Sequence, residues 1–238
     1  MKTELHPALE RGHANHGWLD TWHNFSFADY FNPVREQFGA LRVLNDDTIL
    51  GGTGFGEHPH NNMEIITIPL AGQLEHRDSM GHIQVISPGE VQVMSAGTGI
   101  RHSEYNHSKD KPTNFLQIWI YTRTRDVTPR YDQKAFDFNL RNNAFQRLVT
   151  PDDQVEEGTL WIHQDAWITI TRLQTGKSLE YFLHSNGDRV FAFVIEGKVN
   201  ISGQEAGKRD AIGISETASF GIESKSDCEL LIIEVPST

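Results

Sequence analysis

Apolar residues in this chain come in short bursts rich in valine, isoleucine and phenylalanine, each closed by glycine, asparagine, aspartate or proline. Residues 63–94, MEIITIPLAGQLEHRDSMGHIQVISPGEVQVM, read as an apolar strand, Gly72, a strand, the turn DSMG, a strand, the turn SPGE and a further strand. β-Branched side chains suit a pleated, half-buried surface, and turn signals this dense favour an all-β fold over alternating strands and helices. TNFLQIWIYT (113–122) adds another long apolar strand. Helical periodicity is confined to a turn or two near residues 28–38.

The second half repeats the grammar. RVFAFVIEGKVNISGQEAGKRDAIGI (189–214) again runs apolar strand, Gly197, strand, glycine-containing turn, strand, a KRD turn and another strand. Gly72 and Gly197 hold the same place in the two patterns, which predicts a duplicated β-domain. The polar stretch RNNAFQRLVTPDDQVEEGT (141–159) is the expected boundary, and its acidic PDDQVEE (151–157) reads as a solvated linker. The expected units are 1–140 and 141–238, each an antiparallel sandwich or barrel with its own core. The chain's 238 residues suffice for two domains of roughly 100–120.

Composition narrows the function classes. A formal charge of −11 and the lack of a Lys/Arg block argue against nucleic acid or an anionic membrane surface as a partner. No apolar run approaches the roughly eighteen residues of a transmembrane helix. The opening MKTELHPALERGHANHG lacks the apolar segment of a signal peptide, so a cytoplasmic location is expected. The lone cysteine, Cys228, excludes an intramolecular disulfide and fits a reducing compartment. Its setting, DCELLIIEV, marks it as a small core hydrophobe.

Candidate chemistry begins at GEHPHNNME (56–64). With 12 histidines in the chain, one His-x-His pair arises by chance roughly half the time, so the pair alone is weak. A second glycine-punctuated segment, MSAGTGIRHSEYN (94–106), adds His102 and Glu104. Residues two apart in a strand share a face, about 6.6 Å apart. His58 with His60, and His102 with Glu104, are therefore two same-face doublets that can converge inside a barrel. Three imidazoles and a carboxylate suit a borderline divalent transition metal better than calcium or magnesium. Pro59 lacks a backbone donor and belongs at a barrel mouth or an irregular edge, where an open metal site would lie. Spacing does not choose between Glu64 and Glu104 as the carboxylate, since both are in phase with the histidines.

These segments resemble the two cupin motifs, and more closely the pirin family. FGEHPHNNMEIITIPLAG, MSAGTGIRHSEYN, TPRYDQ (128–133) and ERGHANHGWLDTWHNFSFADYFNP (10–33) carry the resemblance, which is specific over about residues 10–133 and architectural afterwards. The last of these is close to the N-terminal segment of bacterial members described as quercetin 2,3-dioxygenases. The resemblance implies a bicupin whose N-terminal barrel holds one divalent metal through His58, His60, His102 and Glu104. It favours Glu104 over Glu64, leaving Glu64 as a supporting residue behind the ligands. Departures from the general cupin pattern are Ser95, where proline is common, and His102, one residue late. In the second half the positions matching His58 and His60 are Leu183 and Ser185; His184 is out of phase with no visible partner. The C-terminal barrel is expected to lack metal ligands. His13, His16 and His23, among Trp18, Trp22, Phe25 and Phe27, are expected to pack on the first barrel. His76, His82, His107 and His163 have no informative spacing.

The resemblance implies an oxygen-dependent dioxygenase that cleaves flavonols such as quercetin and releases carbon monoxide, with Glu104 as ligand and as partner or base for the flavonol 3-hydroxyl. Iron(II) is the metal it favours; nickel, cobalt, manganese, copper or zinc can occupy the same donors. The alternative is a non-catalytic metal-binding module that regulates a protein partner, though nothing in the sequence marks a partner face. A sugar isomerase fits the motif details less well. No P-loop, nucleophile elbow or dinucleotide fingerprint appears, because GGTGFG (51–56) precedes a strand motif rather than a helix.

Overall fold

The computed structural model, which describes residues 1–185 and 187–237, is built of strands, with two short 3-10 turns at Ala8–Glu10 and Phe138–Arg141. Residues 28–38 form turns and bends rather than helix. The extended backbone before Pro33 and the cap by Asn32, whose side chain accepts from the Val34 amide, break any helical run there.

The strands make two barrels, each from one seven-stranded and one four-stranded sheet. In the first, the large sheet runs Arg130–Ala135, Glu90–Ser95, Met63–Ala71, Thr113–Tyr121, Leu41–Ile49, Leu19–His23, Gly12–Asn15. Its small sheet runs Gly54–His60, Ile100–Asn106, Leu74–Asp78, Ile83–Ile86. The second barrel repeats the plan, with Arg189–Glu196 paired to Cys228–Val235 as Met63–Ala71 is to Thr113–Tyr121. Gly72 and Gly197 are equivalent in three dimensions too. Both take a positive φ (+75° and +83°), and a Cβ at either would strike the start of the partner strand, at Thr113 or Cys228. Only glycine accepts that conformation and that approach.

The two large sheets pack face to face. Alternate residues of each strand divide between two cores, because the side-chain period in a strand is two. Ile66, Leu116, Ile118 and Ile120 meet Leu148, Ile168, Phe193, Leu231 and Ile233 in one cluster between the barrels. The stretch 141–159 is accordingly no slack linker. Gln146–Pro151 is a strand of the second barrel that buries Leu148 and Val149, and Asp152 and Asp153 ion-pair with Arg123 of the first. The chain also crosses over: Lys2–His6 pairs with Ala211–Ser215, so the first strand completes the second barrel's sheet. Cys228 is buried among apolar neighbours, as expected.

Candidate metal centre

The two sequence doublets lie on adjacent antiparallel strands of the first barrel's small sheet, with His102 directly opposite His58. Gly54–His60 is the outer strand of that sheet, so Pro59 removes no ladder bond the sheet needs. In Ile100–Asn106 the alternation is strict: Ile100, His102, Glu104 and Asn106 are buried, while Arg101 and Tyr105 are exposed. His58, His60 and His102 come together, each offering a ring nitrogen, with all three within 4.8 Å of one another.

Three observations fit these residues to a divalent transition metal. The Nε2 atoms of His60 and His102 are buried without a hydrogen-bond partner among the described residues, an arrangement costly unless something else fills the place. His58 donates from Nδ1 to the Gly56 carbonyl at 2.8 Å, which leaves Nε2 bare. Finally, burial pushes His60 down to about 4 and His102 further, with neighbouring histidines adding to both shifts. The rings of His60 and His102 are thus neutral donors at ordinary pH, as metal binding requires. A shallow depression of about 320 Å³ borders His60, lined also by Pro59, Asn61, Ser79, Gly99, Ile100 and Arg101. A larger groove of about 470 Å³ lies in the second barrel, where Glu229 is already paired with Arg141 and Arg172.

Glu104 stands apart from that close group. Its carboxylate points into the barrel, where Gln117 donates to Oε2 at 2.8 Å and the Thr67 hydroxyl lies 3.4 Å from Oε1. Burial raises it to about 7 in spite of those hydrogen bonds. Deeper in the barrel, burial likewise raises Asp47 to about 7 against a hydrogen bond from Thr21, with Glu104 adding to the rise.

Glu64 is elsewhere. It is the second residue of Met63–Ala71, and its neighbours on the same face, Ile66 and Ile68, belong to the core between the barrels, while Ile65 packs with Met94 and Ile100. Ser95 donates to Glu64 at 2.6 Å, and its other surroundings include His163 and Arg130. The support expected from Glu64 is thus not in place, because a turn at Asn62 (φ +49°) resets the strand phase after His60.

Beside His102 stand instead His76 and Asp78, which the sequence reading passed over. His76 Nδ1 is 3.5 Å from His102 Nδ1, and His76 Nε2 is 3.1 Å from Asp78 Oδ2. Their spacing is the same i, i+2 strand doublet that marked His102 and Glu104, and that signal would have found them. Burial keeps His76 low, despite the adjacent Asp78. Burial would raise Asp78, but hydrogen bonds from His76 and His82 outweigh it and hold the carboxyl below its usual range.

In the second barrel His184 has partners after all. It stacks on Trp167 (4.3 Å, 8°), sits 2.8 Å from Glu234 through Nδ1 and accepts from Arg147 at Nε2 (2.7 Å). Those partners come from strands distant in sequence, which spacing cannot reveal. Of the N-terminal histidines, His13 stacks on Trp22 and His23 hydrogen-bonds Asn45, as packing residues do.

Two barrels of this topology with a histidine cluster at the mouth of the first define a bicupin. Comparison with known proteins is more specific. The pirin profile matches residues 5–120, and that of the quercetinase C-terminal cupin domain matches residues 148–235. The chain is 44% identical over 232 residues to a quercetin 2,3-dioxygenase of Escherichia coli K12, covering 98% of each. It is 37% identical over 228 residues to a pirin-like protein of Caulobacter vibrioides, covering 96% of this chain and 97% of that one. The crystal structure of the bacterial pirin YhhW from Escherichia coli in complex with nickel(II) superposes with a TM-score of 0.93 at 42% identity, with all of both chains covered. This chain belongs to the pirin family.

Proposed function

We propose that the protein is a metal-dependent dioxygenase that opens the central ring of flavonols such as quercetin, with one metal held by His58, His60, His102 and Glu104. The observation that carries this reading is the trio of converging imidazoles, two with buried nitrogens lacking a partner among the described residues, with an open depression bordering His60. The relatives named quercetin 2,3-dioxygenase, and the nickel(II) complex of YhhW, support it. Iron(II) is the metal we assign, with nickel as the alternative that the YhhW complex favours.

A bound divalent ion would supply Lewis acidity and one-electron chemistry at the barrel mouth. The chain's own residues do the rest. The depression beside His60 holds the flavonol with its 3-hydroxyl inward, against Pro59, Gly99 and Ile100. Glu104 accepts the 3-hydroxyl proton: Gln117 occupies Oε2, so the loosely held Oε1 is the receiving atom. The Gln117 amide and the Thr67 hydroxyl orient this carboxylate for that exchange. Dioxygen then adds across C2 and C4 of the deprotonated ring, and C3 leaves as carbon monoxide.

The test is aerobic incubation of quercetin with protein purified without chelator or nickel affinity resin. Quercetin should be consumed with carbon monoxide released, and only while metal is bound. A metal-loaded protein that leaves quercetin intact, or one that bleaches it equally after metal removal, would overturn the assignment and favour a regulatory module that binds a protein partner.

A further inference from the structure

We propose that His76 and Asp78 are positioning residues for the metal centre, forming a carboxylate–imidazole–imidazole chain that fixes the tautomer and orientation of His102. The inference rests on the reading of His102 as a ligand and adds to it the pair of residues that prepares that ligand.

The argument is one of donors and acceptors. Asp78 has a fully buried side chain (0% exposed) and accepts on every side. The amides of Met80 and His82 donate to Oδ1, at 2.9 and 3.1 Å. The His82 ring donates to Oδ2 at 2.9 Å, and His76 Nε2 approaches the same oxygen at 3.1 Å. An ionised carboxylate has no proton to give, so His76 carries its hydrogen on Nε2. A neutral His76 then has a bare Nδ1, which can only accept, and the ring nitrogen facing it at 3.5 Å is His102 Nδ1. His102 must therefore be protonated on Nδ1. That leaves its Nε2 bare, and this is the buried atom with no partner among the described residues. One proton arrangement satisfies the whole chain, and it presents a lone pair to the metal position.

The chain is also held rigidly. Tyr131 stacks on His76 (4.6 Å, 28°) and on His82 (5.0 Å, 23°), clamping both rings, and its hydroxyl is anchored on Gln133 (2.8 Å). Asp78 lies directly across the ladder from His102, so strand register fixes the distance between the acid and the ligand it serves. His58 needs no such device, since the Gly56 carbonyl fixes its tautomer. Partners of this kind set ligand basicity and ring orientation, and removing one typically costs about 10–100-fold in metal affinity.

The experiment has two arms. In the first, long-range proton–nitrogen NMR of the metal-free wild-type protein reads the tautomers directly. His76 should appear as the Nε2–H form and His102 as the Nδ1–H form; the opposite form at either ring overturns the proposal. In the second, nickel(II) is titrated into wild type, His76→Leu and His76→Gln, each checked for an unchanged fold by circular dichroism. His76→Leu should lose about 10–100-fold in affinity, with shifted ligand-field bands. His76→Gln, whose amide can donate to Asp78 and accept from His102, should restore the wild-type spectrum and most of the affinity. Equal loss in both variants, or no loss in His76→Leu, would reduce His76 to a packing residue. Wild type that fails to bind nickel(II) would instead count against the metal reading, and the tautomer measurement would still decide the inference.

Discussion

The two barrels share a topology and differ most in what fills them. At the centre of the first, Thr67 stands directly across the ladder from Gln117. The equivalent cross-strand pair in the second is Ala192 and Ile232. The Thr67 hydroxyl donates to Gln117 at 2.7 Å, and Gln117 in turn holds Glu104. Ala192 and Ile232 belong instead to an apolar interior with Val190, Val194, Ile212, Ile214 and Leu230. The interior of the first barrel has small apolar clusters, one around Leu74 and Phe115 and one around Ile65 and Met94. Between and beside them lie Asp47, Gln92, Glu104, His76 and Asp78, all buried. Burying so many polar groups costs stability unless each finds a partner. Where the second barrel spends its interior on a core, the first uses it to carry a site.

That comparison can be broken most severely at the histidines. His58→Ala and His102→Ala should abolish metal retention and quercetin turnover, measured by elemental analysis and oxygen uptake. His184→Ala, in the second barrel, should leave both unchanged. Next in size is the choice of carboxylate. Glu104→Gln should reduce activity or metal content at least about 10-fold, whereas Glu64→Gln, acting between the barrels, should keep most metal. The reverse ranking would make Glu64 the ligand and count against Glu104.

A smaller effect is expected from making the first barrel like the second. The double variant Thr67→Ala, Gln117→Ile removes both neutral partners of a buried acid, at a cost of about 1–3 kcal/mol in stability. It should fold and bind metal but turn quercetin over more slowly, because Glu104 is no longer oriented. Full activity in this variant would detach the polar belt from catalysis.

The mildest effect concerns the second barrel alone. Burial, and then the neighbouring Glu234, raise Asp188 from 3.8 to about 6. Between those values the folded state holds a proton that the unfolded chain has released. The resulting stabilisation is fully present below about pH 4 and is lost as pH rises through about 6. Asp188→Asn should therefore flatten the decline of Tm between pH 4 and 7, leaving metal content untouched. An unaltered profile would mean that Asp188 titrates normally.

How much of this was legible in the sequence follows from what is local. The strand grammar and the duplicated glycine turns are short-range patterns that the fold uses as written, and of the two doublets it brings His58, His60 and His102 together while Glu104 stands apart. Glu64 was misjudged because strand parity carries only as far as the strand, and Asn62 ends one and opens another. His76 and Asp78 were encoded by the same doublet rule, but only the ladder that sets Asp78 opposite His102 gives the pair its meaning. The crossing of Lys2–His6 into the second barrel and the setting of His184 depend on contacts between distant segments. No spacing within the chain announces such contacts.

The central claim is that one barrel holds a metal and its twin does not. Its most direct test is the number of divalent transition-metal ions per chain in protein saturated with iron(II) or nickel(II) and then freed of excess. The account predicts a value near one, falling to near zero when His58 and His102 are both replaced by alanine. A value near two, or one that persists in the double variant, would contradict it.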